Sequence, residues 1–160
     1  MINTERLTLR RFTAADETAY ADMMTDPNVY RYLGAGQGTP REQIGRMIDS
    51  LNTTWGHGLG VYAVTLRESG RLIGYCGVRG LPCGRKELMY AYSQDAWGKG
   101  YATEAAKAVL DAHSVRPLIA VSYPQNTGSI NVIKKLGFRH VGQEAMFGHM
   151  LELYVLEDKT

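Results

Sequence analysis

Nine residues, Trp97 to Ala105 in the run WGKGYATEA, set two glycines and a lysine directly ahead of an alanine-rich segment. No other stretch restricts the possible folds as much. The pattern predicts a tight turn feeding a helix. The amides of Gly98, Lys99, Gly100, Tyr101 and Ala102 would lack intrahelical acceptors, and the helix dipole adds positive potential where they converge. Glycine has no Cβ, so an anion can come close to its backbone. The small run Ala102, Ala105 and Ala106 lets the helix lie near a sheet. A diphosphate fits such a helix start, although a strand-to-helix turn with a solvated lysine has the same local pattern.

The segments on either side supply the layers around this unit. Glu5 to Phe12 alternates as a strand with Leu7 and Leu9 on one face. Thr13 can cap a helix in which Asp16 and Glu17 occupy the first turn, Ala19, Met23 and Met24 form an apolar stripe, and Pro27 is the stop. The glycine-rich loop Leu33 to Pro40 precedes a second helix reaching Thr54, with Ile44, Met47, Ile48 and Leu51 on one face. Leu59 to Leu66 and Leu72 to Val78 flank a turn and predict an antiparallel hairpin, followed by a strand over Glu87 to Ser93. The helix over Gly100 to His113 leads to the apolar strand Pro117 to Tyr123. Asn126 then caps a helix with Ile130, Ile133 and Leu136 on its inner face, closed by Gly137. Strands over Phe138 to Met146 and His149 to Leu156 finish the chain. This order makes the strand before WGKGYATEA and the strand PLIAVSY parallel neighbours joined by a crossover helix.

Bulk properties narrow the function. A chain of 160 residues predicts a single domain over 1–160. Its formal net charge of +2, with no dense Lys or Arg run, gives no basis for a nucleic-acid surface. No apolar window has signal-peptide or membrane-span length, so neither membrane nor export is expected and the cytoplasm is the default location. Cys76 and Cys83 show neither disulfide nor metal spacing, and no metal is expected.

Spacing removes two phosphate-binding motifs. A P-loop needs Ser or Thr after its lysine, but Lys99 is followed by Gly100. A dinucleotide fingerprint needs Gly or Ala at Thr103 and an acidic residue about 20 positions later, where none occurs. What remains is a likeness over nearly the whole chain. TERLTLRRF, YAYSQDAWGKGYATEA, NTGSINVIKKLGF and the terminal strand pair, in that order, resemble the GNAT superfamily of N-acetyltransferases, and within it the ribosomal-protein alanine acetyltransferase (Rim) branch. The resemblance implies an α/β (α+β) fold: a mixed, mostly antiparallel sheet of about seven strands flanked by four helices, with a splayed parallel strand pair.

The resemblance also implies site residues. Trp97, Gly98, Lys99, Gly100, Tyr101, Ala102 and Thr103 fall on the turn and first helical residues that hold the coenzyme A pyrophosphate in that superfamily. Trp97 stands where Arg or Gln is usual. Main-chain groups of Tyr92, Ser93 and Gln94 would pair with the pantetheine amides and the thioester carbonyl. Asn126 and Ser129 match the branch's N-x-x-S helix. Ser129 shares the face of Ile133, so its hydroxyl is expected to face the cleft. Many superfamily members carry a tyrosine acid where Ile133 stands, which leaves Ser129, or a water it holds, to protonate the departing thiolate.

Glu152 ranks first among proton acceptors by likeness to the Rim proteins, with Glu87 and His149 as alternatives. Lys135, with Lys134 and Arg139, is the candidate for the coenzyme 3′-phosphate, although basic residues at a helix C-terminus are also expected from the dipole. Tyr30, Tyr32 and Trp55 are candidates for the acceptor wall. The expected activity is transfer from acetyl-CoA as co-substrate to a primary amine, either a protein N-terminus or a small molecule, by a monomer or homodimer. The alternative is a coenzyme A-binding sensor or interaction module without turnover.

Overall fold

Alternation sets the first long strand of the computed structural model, which describes residues 1–158. Leu7 and Leu9 of β2 (Leu7–Arg10) are fully buried, while Thr8 and Arg10 on the opposite face are half-buried. A two-residue strand β1 (Ile2–Asn3) pairs with it. Then come α1 (Glu17–Met24), α2 (Pro27–Tyr30), α3 (Ile44–Asn52), the strands β3 (Gly60–Leu66), β4 (Leu72–Gly80) and β5 (Lys86–Tyr92), α4 (Tyr101–Ala112), β6 (Leu118–Ser122), α5 (Thr127–Lys135), β7 (Arg139–Met146) and β8 (His149–Leu156). The eight strands lie in the order β1-β2-β3-β4-β5-β6-β8-β7, antiparallel except for β5 and β6. This is the mixed, mostly antiparallel sheet with one parallel pair that the resemblance implies.

Counts and two details differ from the sequence reading: eight strands and five α-helices stand where seven and four are expected. The extra strand is β1. The extra helix arises because Pro27 starts a helical turn: its missing N–H costs nothing at the first position, and the Asp26 carboxylate accepts the Asn28 N–H at 2.9 Å. Ala19 is exposed, and Tyr20 takes the inward place in α1. Asp16 is buried and accepts from Arg10 through both oxygens at 2.8 Å and from the Thr13 N–H at 2.8 Å.

The sheet divides the apolar side chains into two cores. On one face α4 and α5 cover Tyr62, Val64, Cys76, Val78, Leu88 and Tyr92, with Ala105, Ala106, Val109 and Ile133 packed inward. On the other, α1 to α3 cover Val61, Ala63, Tyr75 and Ala91. Small residues let α4 approach closely, as its alanines predict. Ile130 and Leu136 flank Ile133 but are only half-buried. α5 ends in a glycine cap: Gly137 has φ +92°, its N–H donates to the Lys134 carbonyl, and the Phe138 N–H donates to the Ile133 carbonyl.

Candidate active site

β5 and β6 share one register pair, Glu87 with Ile119, and beyond it they separate. The Ser93 N–H donates to the Ile73 carbonyl at 2.8 Å. Hydrogen-bonded pairs alternate along an antiparallel ladder, so Glu87, Met89 and Ala91 also turn their main-chain groups to β4. Those of Leu88, Tyr90 and Tyr92 face β6. Above the single pair, the N–H and C=O groups of Tyr90 and Tyr92 therefore face the gap. The Tyr92 N–H lies on the side that the sequence reading requires, while its carbonyl already accepts the Trp97 indole N–H. Ser93 differs: its N–H is used by Ile73 and its carbonyl accepts the Ala96 N–H, because it opens a 3-10 turn. Gln94 is exposed, its carbonyl accepts the Trp97 N–H, and its side-chain oxygen accepts from Asn28 at 3.2 Å. Tyr90 was missed. Alternation with Leu88 and Tyr92 was the signal that could have found it.

At the head of this gap, Gly98 and Gly100 have φ of +75° and +83°. L side chains rarely adopt that region, so the two glycines are required by conformation. Gly100 is the N-cap of α4 and carries no side-chain cap, and the first helical bond runs from the Glu104 N–H to the Gly100 carbonyl. The amides from Gly98 to Thr103 are consequently left without main-chain acceptors among the described residues. A Cβ on Gly98 would meet nothing within 4 Å. The backbone there is open, so an anion can come close to it. Trp97 secures the turn: its indole N–H donates to the Tyr92 carbonyl at 2.9 Å while the ring stays half-exposed.

α5 begins beside the same gap. The Asn126 side chain accepts the Ser129 N–H at 3.3 Å, capping the helix. Ser129 Oγ lies 2.9 Å from the Tyr90 hydroxyl, which is also 3.2 Å from the Ser129 carbonyl. Burial pushes the Tyr90 phenol well above its ordinary range, the Ser129 contact notwithstanding, so it remains protonated.

The other candidates are scattered. Glu87 is buried at the closed end of the gap, on the α1–α3 face, and pairs with Arg79 at 2.8 Å. Glu152 pairs with Ser122 across β6 and β8 and shares the face of Tyr154, the α4–α5 side. Its oxygens accept from Gln143 at 2.8 Å and meet His140 at 2.6 Å, contacts that hold the carboxyl below the usual range. A proton acceptor needs a free oxygen, and both oxygens of Glu152 are engaged, so this placement opposes the first-ranked expectation. His149 Nε2 is 3.1 Å from the Ala35 carbonyl, and its ring stacks near Tyr123. Tyr32 also lies against Tyr123, whose hydroxyl donates to the Gly34 carbonyl at 2.5 Å. These contacts draw the glycine-rich loop over β6 and β8, with Tyr30 beside Gly38. Trp55 is elsewhere: it packs on Tyr62 and His113 in the α4-side core and lines no acceptor wall. Lys134 and Lys135 are exposed at the far end of α5 from Asn126, and Arg139 pairs with Glu157 at 3.0 Å. No group of three or more His, Cys, Asp or Glu side chains fit to hold a metal occurs among the described residues.

Comparison with known proteins agrees with this layout. The profile of the acetyltransferase (GNAT) domain matches residues 6–139. The uncharacterized N-acetyltransferase p20 of Bacillus licheniformis is 29% identical over 95% of this chain and 92% of its own length. The uncharacterized N-acetyltransferase YnaD of Bacillus subtilis is 30% identical over 88% and 84%. Among solved structures, an acetyltransferase from Agrobacterium tumefaciens gives a TM-score of 0.83 at 28% identity, covering 98% of this chain and 94% of that one.

Proposed function

The chain belongs to the GNAT family of acetyltransferases, and from that membership we propose that it transfers the acetyl group of acetyl-CoA directly to a primary amine within one ternary complex. The observation that carries this reading is the run of unpaired amides from Gly98 to Thr103 at the head of the β5–β6 gap, shaped by two left-handed glycines. A cradle that a Cβ would begin to fill fits a diphosphate-bearing acyl carrier. Acetyl-CoA supplies an activated thioester; the rest is positioning and proton movement by the chain.

The amides of residues 98–103 hold the diphosphate, and the main-chain groups of Tyr90 and Tyr92 hold the pantetheine arm. An N–H aimed at the thioester carbonyl binds it more strongly as negative charge develops on the oxygen. Ser129 is the proton donor. The Tyr90 phenol has two acceptors within reach, the Ser129 carbonyl and Ser129 Oγ; with its one hydrogen directed at Oγ, the serine hydrogen is free to point at the departing sulfur. Neither cysteine serves as a nucleophile: Cys76 is buried, its thiol pushed up to about 12 by that burial, and Cys83 sits exposed in the β4–β5 turn. The acceptor has a reference pKa near ~10 and must lose a proton before attack. Glu87, on the face covered by the glycine-rich loop, takes this proton through water.

Likeness to the Rim branch supports a protein N-terminal amine as acceptor. The loop drawn down onto Tyr123 and His149 narrows the acceptor side and supports a small-molecule amine instead. Labelled acetyl-CoA offered with a panel of small amines and with N-terminal peptides separates the two. Transfer to neither would overturn the proposed activity.

A further inference from the structure

Arg6, in the turn between β1 and β2, reaches the start of α4. Its Nε donates to Glu104 Oε1 at 2.7 Å, its own N–H donates to Glu104 Oε2 at 2.9 Å, and its Nη1 donates to the Lys99 carbonyl at 2.8 Å. Thr4 Oγ1 donates to Glu104 Oε2 at 2.6 Å. The guanidinium stacks over the Tyr101 ring, 4.4 Å from its centroid. With Nε and Nη1 tied, the planar fork has one orientation, and Nη2 is left without a hydrogen-bond partner among the described residues. That nitrogen lies 3.3 Å from the point a Cβ on Gly100 would occupy. It therefore lies beside the Gly100 backbone at the start of α4, on the carbonyl side of the Lys99–Gly100 peptide.

Charge gives this arrangement a consequence. Glu104 sits in the first turn of α4, where a carboxylate favours the helix but repels an anionic ligand at the same end. Burial alone would raise that carboxyl, yet the bonds from Thr4 and Arg6 outweigh it and keep the group ionised below its ordinary range. A bare carboxylate would weaken the anion site. Arg6 cancels the charge and lies on the Lys99 and Gly100 side of the pair.

We propose that Arg6 is a diphosphate-binding residue of the coenzyme site, its Nη2 offered to the anion at the start of α4 and its orientation fixed by Glu104 and the Lys99 carbonyl. This rests on the reading of residues 98–103 as the coenzyme cradle. The ligand class is an acyl carrier with a nucleoside diphosphate, recognised by a charge-assisted hydrogen bond added to the amides.

Calorimetry on the full chain tests it with three probes: coenzyme A, 3′-dephospho-coenzyme A and pantetheine. Arg6→Gln should weaken both diphosphate ligands alike, by about tenfold, and leave pantetheine unaffected. The gap from wild type should narrow as salt is added. Glu104→Gln removes the carboxylate charge but keeps an acceptor for Arg6, and should cost less than Arg6→Gln. Equal binding of coenzyme A by wild type and Arg6→Gln would overturn the proposal, as would equal losses in the two variants or a matching loss with pantetheine. Failure of the wild type to bind coenzyme A would instead remove the cradle reading beneath it.

Discussion

Gly98→Ala separates the cost of a backbone conformation from the cost of blocking a ligand. Gly98 has φ +75°, and a Cβ there meets no atom within 4 Å. The substitution therefore causes no internal clash. Its penalty on folding is the left-handed conformation itself, about 1–2 kcal/mol. Gly70, in the β3–β4 turn, is a matched control: φ is +74°, a Cβ again meets nothing within 4 Å, and the turn lies outside the candidate site. At about 2–4 °C per kcal/mol for a chain of this size, both variants should lower Tm by roughly 2–8 °C. Only Gly98→Ala should lose coenzyme A. A methyl over the cradle displaces the anion from one amide, and a hydrogen bond to a charged group is worth about 1.5–3 kcal/mol, so affinity should fall about 10- to 150-fold. Thermal melts followed by calorimetry measure both quantities. If Gly98→Ala binds coenzyme A as tightly as Gly70→Ala does, the cradle is misplaced.

Ser129→Ala should reduce kcat about 100-fold with little change in the KM for acetyl-CoA. Tyr90→Phe should reduce kcat about tenfold, and the double variant should be no slower than Ser129→Ala; additive losses would mean that the two hydroxyls act separately. Glu87→Gln should lower kcat with little change in the KM for acetyl-CoA, and an unchanged kcat would exclude Glu87 as the proton acceptor. Asp16 tests linkage. Burial alone would raise its carboxyl, but Arg10 and the Thr13 N–H outweigh this and hold it below the ordinary value. The unfolded chain then binds the proton more readily, so the stabilisation is present above about pH 4 and disappears as pH falls through the depressed folded value. Asp16→Asn should lower stability by roughly 1–3 kcal/mol at pH 7 and converge with wild type in acid; a gap independent of pH would refute the ion-pair account.

Sequence and structure agree where the information is local. A left-handed glycine, an Asn cap or a period-2 strand depends on residues a few positions apart. Hence WGKGYATEA, the Asn126 cap and the β5–β6 crossover were legible, including the alanines that let α4 lie close to the sheet. What failed involves residues brought together over long separations. The Arg6–Glu104 contact joins positions 98 residues apart, and Tyr90 meets Ser129 across 39. Nothing local marks Tyr90, because alternation tells which face a hydroxyl occupies and not which partner it meets. Trp55 follows α3 in a loop with no period to fix its face, and it turned to the α4 side. Glu152 stood on the predicted strand, but its role depended on His140 and Gln143 from β7, whose register a bulge between His140 and Gly142 shifts.

The same division bears on what the protein acts on. In the proposed reading the coenzyme half of the site consists mainly of main-chain amides, whose placement depends on a few glycines rather than on particular side chains. That is compatible with a shared fold at identities near 29%. The acceptor half, in the same reading, draws on separate elements: Tyr32 and the Gly34 and Ala35 carbonyls of the glycine-rich loop, Tyr123 after β6, His149 at the start of β8 and Glu87 on β5. On that reading, specificity for the amine rests on the acceptor half alone, and the acceptor is to be found on this chain by assay, with Glu87 and the loop over Tyr123 as the first positions to vary.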